Sequence, residues 1–153
     1  YHTVLQYINY NATTQNDIKK ELSRLILDNR ISIDDAKKMD LALLERIMNG
    51  EIISLARKNK TLREQPFMLY TDSIDGENIL ADKVLVQGVI DLVIFSEKVV
   101  LVDFKASFGD PKYLKEKYSK QLELYAKAVE KIKGYKVDRK IIYNICKDFV
   151  VEL

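Results

Sequence analysis

The sequence is poor in the residues that cross-link small secreted proteins through disulfides or bind metal clusters. Its 153 residues include one cysteine, one histidine, two prolines and no tryptophan. Cys146 alone excludes a disulfide framework and a cysteine-based zinc or iron–sulfur site, which fits a reducing cytosol and predicts a cytoplasmic protein. No apolar run approaches the roughly 20 residues that span a membrane, so no membrane association is expected.

The sequence also has no G-x-x-x-x-G-K-[ST] phosphate loop, no repeats and no low-complexity segment. It therefore carries no signature of ATP hydrolysis. What remains is an ordinary globular composition, with 47% hydrophobic residues, 31% charged residues and a net charge of +2. This length suits a single domain over 1–153. Because the chain begins at Tyr1 within an apolar pattern, we expect it to be a piece of a longer protein.

The first 60 residues show apolar residues at helical spacing. Ser32 with Asp35 resembles a capping box, and Gly50 is a typical helix end. We predict helices at 2–9, from a cap at Thr13 or Thr14 to about Asn29, from Ser32 to Gly50, and at 51–59.

From about residue 61 the pattern becomes that of β-strands, interrupted by one long helix from Pro111 to Gly134. Asp75-Gly76 is a turn signal between the first two strands. The predicted strands are 66–72, 83–94, 98–104, 140–145 and 149–151. This order predicts an α/β fold with a mixed central sheet flanked by helices, in which 1–60 form an N-terminal helical part and 61–153 a sheet-and-helix core.

Asp103 and Lys105 end the apolar segment VVLVDFK. Alternate side chains of a strand share a face, so this acid and this lysine point the same way. The spacing Asp-x-Lys occurs five times in the sequence. Only this pair ends an apolar strand and has another acid well placed, since a hairpin turning at 95–97 brings Asp91 beside Asp103.

Two carboxylates that converge beside a core repel each other and are costly to desolvate. A divalent cation relieves that repulsion, and oxygen ligands suit Mg²⁺ or Mn²⁺. Lys105 would then orient a water, help to deprotonate it, or stabilise charge on a phosphorane-like transition state. The alternative is a surface hairpin whose charged residues are only solvated.

Five short segments occur in the order typical of the PD-(D/E)XK nucleases. They are the helical histidine in YHTVLQYI, then REQPF, GVID, DFK and QLELY. The sequence most resembles the RecB-like branch, and within it the C-terminal nuclease domain of the AddA-type subunit of bacterial helicase–nucleases. The resemblance covers nearly the whole chain and implies a restriction-endonuclease-like core.

The resemblance implies a role for each matching residue. Asp91 and Asp103 correspond to the metal-binding acids of the catalytic site, and Lys105 corresponds to the catalytic lysine. His2 and the backbone carbonyl of Phe104 correspond to further metal ligands.

The same resemblance implies supporting roles around the metal. Glu64 corresponds to the strand acid, which touches the metal through water or braces the site. Arg63 would contact phosphate or pair with Glu64. Gln121 and Tyr125, four apart on one helix face, would lie beside the active site, with Gln121 near the metal-bound water or phosphate and Tyr125 near DNA.

Basic residues concentrate in 111–140, where ten lysines and arginines face four acids, a net charge of +6. Lysines neutralise backbone phosphates, and the interleaved tyrosines can stack on bases. We therefore predict DNA contacts at Lys112, Tyr113, Lys117 and Lys120. No base-reading pattern is visible, which indicates little sequence specificity.

Taken together, the resemblance implies a Mg²⁺- or Mn²⁺-dependent DNA exonuclease domain that acts in DNA repair and recombination on single strands. Its partners would be the helicase portion of the same full-length chain and a second subunit of the AddB type. Two alternatives stay open: a catalytically silent nucleic-acid-binding module of the same fold, and a stand-alone RecB-like exonuclease. The nucleases of CRISPR spacer acquisition fit poorly, because they typically carry an iron–sulfur cluster on several cysteines.

Overall fold

A mixed sheet with helices on both faces forms the centre of the structure, a computed structural model that describes residues 1–71 and 84–153. The helices are α1 (His2–Tyr7), α2 (Gln15–Leu27), α3 (Ile33–Lys37), α4 (Leu41–Asn49), α5 (Glu51–Lys58) and α6 (Pro111–Lys133). The strands are β1 (Lys60–Thr71), β2 (Val84–Phe95), β3 (Val99–Lys105), β4 (Arg139–Asn144) and β5 (Phe149–Glu152).

The strands lie in the order β1-β2-β3-β4-β5. All neighbours are antiparallel except β3 and β4, which are parallel. Parallel strands need a long crossover, and α6 supplies it. This architecture confirms the predicted mixed sheet flanked by helices.

The predicted helix from Ser32 to Gly50 is wrong, because the chain forms two helices there. Ser32 caps α3 as expected, and its Oγ accepts a hydrogen bond from the Asp35 amide at 3.0 Å. The helix then ends at Lys37, and Asp40 caps α4 by accepting hydrogen bonds from two amides of its first turn. A short acidic side chain competes for backbone amides and so favours a new helix start over a continued helix.

β1 begins at Lys60, six residues before the predicted strand. Its first half, KTLREQ, has little β-propensity, yet it pairs with β2 from Lys60 opposite Phe95 onward. Pairing with a neighbouring strand outweighs local composition here. The predicted turn at Asp75-Gly76 lies outside the described residues.

The bounds of α6 match the predicted ones. Asp110 caps its start by accepting a hydrogen bond from the Tyr113 amide at 2.8 Å, and Pro111 takes the first helical position. Gly134 ends it with φ 72°, a left-handed conformation that glycine adopts without a side-chain clash. No helix in the described part of the chain, α6 included, is both long and apolar enough to cross a membrane.

Each face of the sheet has its own hydrophobic core. The helices before the sheet pack on one face, against residues such as Leu92, Val102 and Phe104. α6 packs on the other face, against residues such as Val93 and Leu101. Coverage on both faces accounts for the nearly continuous apolar run of β3, in which only Val99 and Lys105 are not fully buried.

Candidate active site

The hairpin of β2 and β3 places Asp91 and Asp103 at facing positions. Their ladder ends with Leu92 opposite Val102, and the two acids are the next residues on each strand. Asp91 Oδ2 accepts a hydrogen bond from the Phe104 amide at 2.7 Å. The carboxylate of Asp91 is thereby fixed against the backbone that follows Asp103.

Glu64 joins this pair from β1, where it stands opposite Asp91 between regular ladder pairs. Its φ is 51°, a left-handed conformation that strains a residue other than glycine by about 1–3 kcal/mol. Leu62 and Phe67 pack on the same side of the sheet although they are five residues apart. The alternation of faces therefore reverses near Glu64, which is how three neighbouring strands deliver their carboxylates to one place.

Helix α1 covers two of these acids. His2 Nε2 lies 3.2 Å from Asp91 Oδ2, and Gln6 Nε2 donates to Glu64 Oε2 at 2.7 Å. His2 and Gln6 are four residues apart, so both side chains leave the helix on one face. The structure thus brings the predicted histidine to the acids.

Lys105 approaches Asp103 from the next position on the same face of β3. Its Nζ lies 2.8 Å from Asp103 Oδ2 and 4.7 Å from the centre of the Tyr118 ring on α6. The Asp103 side chain is 2% exposed and that of Lys105 is 20% exposed. The acid is therefore enclosed, while the ammonium stands at the opening.

Burial and repulsion shift the pKa values of this cluster. Burial raises the pKa of Asp103 to about 6, against the opposing attraction of Lys105. Burial, and then the charge of Asp91, raises the pKa of Glu64. The pKa of His2 is raised chiefly by its hydrogen bond to Asp91. Burial is the main cause for the two acids, and the charge of Asp91 adds to all three shifts.

The donor set fits a hard divalent cation. Glu64 Oε1 and Asp103 Oδ2 are buried and receive no well-directed hydrogen bond from the described residues, since Lys105 meets Asp103 as an ion pair. Carboxylate oxygens with free lone pairs are the ligands that Mg²⁺ and Mn²⁺ prefer. As they stand, no three His, Cys, Asp or Glu side chains within 1–71 and 84–153 are drawn together tightly enough to enclose an ion. Instead, His2 and Lys105 lie against the acids.

Gln121 and Tyr125 lie on the face of α6 that meets the sheet. Gln121 Nε2 donates to the Tyr125 hydroxyl at 2.6 Å, and the Tyr125 ring packs edge-on against Phe67 with 5.2 Å between centroids. A Cβ on Gly88 would stand 2.9 Å from the Phe67 ring, so this glycine makes room for the aromatic pair. Tyr125 is 9% exposed, so its ring is mainly core and its hydroxyl orients Gln121.

Arg63 contacts the chain around α1. Its guanidinium lies over the Tyr10 ring, 4.0 Å from the centroid. Its two terminal nitrogens donate to the carbonyl oxygens of Leu5, Gln6 and Ile8 at 2.5–3.0 Å. These contacts tie α1 to β1, and the expected phosphate contact of Arg63 stays a prediction.

The other predicted DNA contacts lie on the first three turns of α6. Lys112, Tyr113, Lys117 and Lys120 are all exposed. Lys117 Nζ donates to the Tyr113 hydroxyl at 2.9 Å and also lies 5.3 Å from the centre of the Tyr118 ring. This surface adjoins the opening at Lys105.

The sequence analysis missed the place of two residues at the site. Gln6 donates a hydrogen bond to Glu64, and the Tyr118 ring lies beside Lys105. Helical spacing is the signal that would have found them. Gln6 is four residues after His2, and Tyr118 is three before Gln121 and seven before Tyr125, so each shares a helix face with a residue already singled out.

In this fold, acids and a lysine from adjoining strands of a mixed sheet meet beside a helix. This arrangement is typical of enzymes that cleave phosphodiester bonds. A family model for the PD-(D/E)XK nuclease superfamily matches residues 1–150, and the chain belongs to that superfamily.

Several curated proteins, each named as the A subunit of an ATP-dependent helicase/nuclease, are similar to this chain. The one from Clostridium kluyveri is 33% identical over 99% of this chain and 13% of its own length. Those from Acetivibrio thermocellus and Oceanobacillus iheyensis are 30% and 26% identical, over 93% and 99% of this chain and 12% and 13% of theirs. This chain is therefore a PD-(D/E)XK nuclease domain similar to a small part of those long proteins.

Proposed function

We propose that this chain hydrolyses phosphodiester bonds of DNA as the exonuclease domain of a longer helicase–nuclease. The observation that carries the proposal is the buried Asp103 carboxylate, which faces Asp91 and has Lys105 2.8 Å away. The substrate is a polyanion. The site offers it an ammonium at the opening, and the enclosed acid can hold a cation beside it. Membership of the nuclease superfamily supports the same reaction.

The acids would hold Mg²⁺ or Mn²⁺ through Asp91 and Asp103. His2 and the Phe104 carbonyl would complete the ligands, and Glu64 would act through water or as a brace. A bound ion would neutralise phosphate charge and lower the pKa of the attacking water. His2 lies 3.2 Å from Asp91 and Lys105 lies 2.8 Å from Asp103, so each already stands beside an acid that would bind the ion.

The protein's own groups then position the reactants. Lys105 would donate a hydrogen bond to a phosphate oxygen or to the attacking water, because its ammonium stands at the opening of the site. Gln121 would orient the same water or phosphate. The hydrogen bond between Gln121 and Tyr125 fixes the amide in advance, so little conformational entropy is lost when substrate binds.

The DNA strand would run along the start of α6. Lys112, Lys117 and Lys120 would contact backbone phosphates, and Tyr113 would stack on an unpaired base. Such contacts do not read base edges, so cleavage would depend little on sequence. The helicase portion of the longer chain would deliver single strands to the site. A second subunit of the AddB type would complete the enzyme, which would act in recombinational repair in the cytoplasm.

The test compares the full-length protein with Asp103→Ala and Lys105→Ala on a single-stranded oligonucleotide with Mg²⁺ or Mn²⁺. We expect each variant to lose at least about a hundredfold in cleavage rate, since each removes a group that acts on the transition state. Lys19→Ala, on the exposed side of α2, is the matched control and keeps the full rate. Equal cleavage by wild type and both site variants overturns the assignment.

A catalytically silent binding module is the second candidate, favoured by the contacts that His2 and Lys105 already make with the acids. Calorimetric titration with Mn²⁺ separates the two. A nuclease binds Mn²⁺ in a manner that Asp91→Ala and Asp103→Ala abolish, whereas a silent module binds DNA without that heat.

A further inference from the structure

The Lys105 ammonium has two neighbours in the site. Asp103 Oδ2 lies 2.8 Å from Nζ, and the centre of the Tyr118 ring lies 4.7 Å from it. Lys117 approaches the same ring at 5.3 Å. Tyr118 is half-buried on α6, and its ring lies near both a surface lysine and the lysine of the site.

A lysine side chain is a flexible four-carbon stem, and one carboxylate alone would draw its ammonium down onto the enclosed acid. An aromatic face attracts a cation without neutralising it, and the attraction grows when water is excluded. The Tyr118 ring therefore provides a second binding position for the Lys105 ammonium. In this position the ammonium stays charged and is directed at the opening of the site.

We propose that Tyr118 is a positioning residue for Lys105, whose ammonium it holds at the mouth of the site so that it meets the phosphate of the substrate. This inference rests on the proposed nuclease function and deepens it, because it assigns a role to a residue that does not touch the reacting atoms.

The competing role for Tyr118 is a stacking surface for DNA. Cations already lie within 5.3 Å of this ring from β3 and from the adjacent position on α6. A base that stacks on this ring would compete with these cations. Tyr113, by contrast, is 46% exposed and is the better stacking surface on this helix. The two roles differ in which kinetic constant they control.

The experiment uses Tyr118→Leu and Tyr118→Phe in the full-length protein. Leucine removes the aromatic face, whereas phenylalanine keeps it and loses only the hydroxyl. We expect Tyr118→Leu to lower kcat about tenfold with KM unchanged, and Tyr118→Phe to restore nearly the wild-type kcat. Tyr7→Leu is the matched control, since it removes another aromatic face that lies near a cation, with Arg30 4.4 Å from the ring centroid; it leaves both constants unchanged.

A second measurement reports position without activity. Lysines of the metal-free protein are methylated with a ¹³C label, and Lys105 is assigned by the signal lost in Lys105→Ala. We expect the ring current of Tyr118 to shift the Lys105 methyl signal upfield in wild type and in Tyr118→Phe. In Tyr118→Leu this signal moves to the position of solvent-exposed lysines.

Three results overturn the proposal: a rise in KM with kcat unchanged, a leucine variant that behaves as wild type, or a Lys105 signal with no upfield shift. If wild type and Lys105→Ala cleave equally, the proposed function fails, and the methyl signal still decides whether Tyr118 positions Lys105. If Tyr118→Leu does not fold, Tyr118→Gln replaces it, because glutamine is a good helix former and also lacks an aromatic face.

Discussion

Asp103 is the residue at which folding stability and chemistry oppose each other. Its carboxylate is buried, and burial raises its pKa to about 6 from 3.8. A carboxyl that binds its proton more tightly when folded destabilises the fold once ionised, so the destabilisation is complete above pH 6 and shrinks as the pH falls towards 3.8. Asp103→Asn removes the buried charge and should therefore stabilise the metal-free protein by about 2 kcal/mol at pH 8, and by less at pH 5.

Thermal unfolding in EDTA at the two pH values measures this effect. The matched control is Asp34→Asn, an exposed acid in the first turn of α3, which should change stability by less than about 0.5 kcal/mol at either pH. A lower unfolding midpoint for Asp103→Asn at pH 8 would show that the pair with Lys105 outweighs the burial of the charge. The same variant should lose cleavage, so the site keeps a residue that its fold would be more stable without.

Gly88 provides the space in which the Phe67 and Tyr125 rings pack beside the site. A Cβ there would lie 2.9 Å from Phe67 Cε1 and 3.6 Å from Tyr125 Cε1. Phe67 is itself buried, so its ring has little room to turn away. Gly88→Ala should therefore destabilise the protein by about 1–3 kcal/mol, the usual range for overpacking a core.

A double-mutant cycle with Phe67→Leu isolates the clash. The smaller side chain should recover a large part of the loss caused by Gly88→Ala, because it vacates the position that the new methyl group enters. Denaturant unfolding gives the four free energies. Strict additivity of the two substitutions would mean that the alanine acts through strand conformation and not through the aromatic pair.

At the scale of the element, two helix caps of similar chemistry should differ in their effect. Asp40 caps α4, whose Leu43, Leu44, Ile47 and Met48 are buried, whereas Ser32 caps α3, which has no buried residue. Asp40→Ala should lower the free energy of unfolding by about 1 kcal/mol. Ser32→Ala should lower it by less, because α3 can fray without opening the core.

Chemical denaturation measures both losses, and Asp40→Asn serves as the control that keeps a capping oxygen. Equal losses for the two alanine variants would show that α3 unfolds together with the core.

The elements also show how much the sequence revealed. α6 was predictable because Asp110-Pro111 and Gly134 mark its ends with local chemistry. The hairpin of β2 and β3 was predictable because its strands are rich in Val, Ile and Leu, and the turn between them set Asp91 opposite Asp103. Both predictions rest on local signals, each of which involves only a few neighbouring residues.

What the sequence did not reveal depends on distant contacts. The start of β1 at Lys60 follows from pairing with β2, and the role of Arg63 follows from three carbonyls on the chain around α1 that no local pattern announces. The left-handed Glu64 is a third case, since a glutamate in a strand gives no sign that the alternation of faces reverses beside it. Helical spacing would have indicated Tyr118, but only once its neighbours had been assigned.

At the scale of the whole molecule, charge is divided along the chain. Residues 111–140 carry a net charge of +6 in a protein of +2, which leaves −4 for the rest. The acids of the site lie on the sheet, and the exposed lysines lie on α6 beside its opening. A polyanion is therefore attracted to α6 and repelled by much of the remaining surface.

This division predicts how single-stranded DNA binding depends on salt. Each phosphate neutralised by a lysine releases counterions and adds about 0.7 to the slope of log affinity against log salt. Lys112→Ala and Lys120→Ala should each lower that slope by about 0.7 and weaken binding similarly for all sequences, because neither reads a base. Fluorescence anisotropy of a labelled oligonucleotide in EDTA gives the slope without cleavage. Lys19→Ala on α2 removes the same charge far from α6, and an equal drop in slope for this variant would mean that net charge, and not the surface of α6, attracts the DNA.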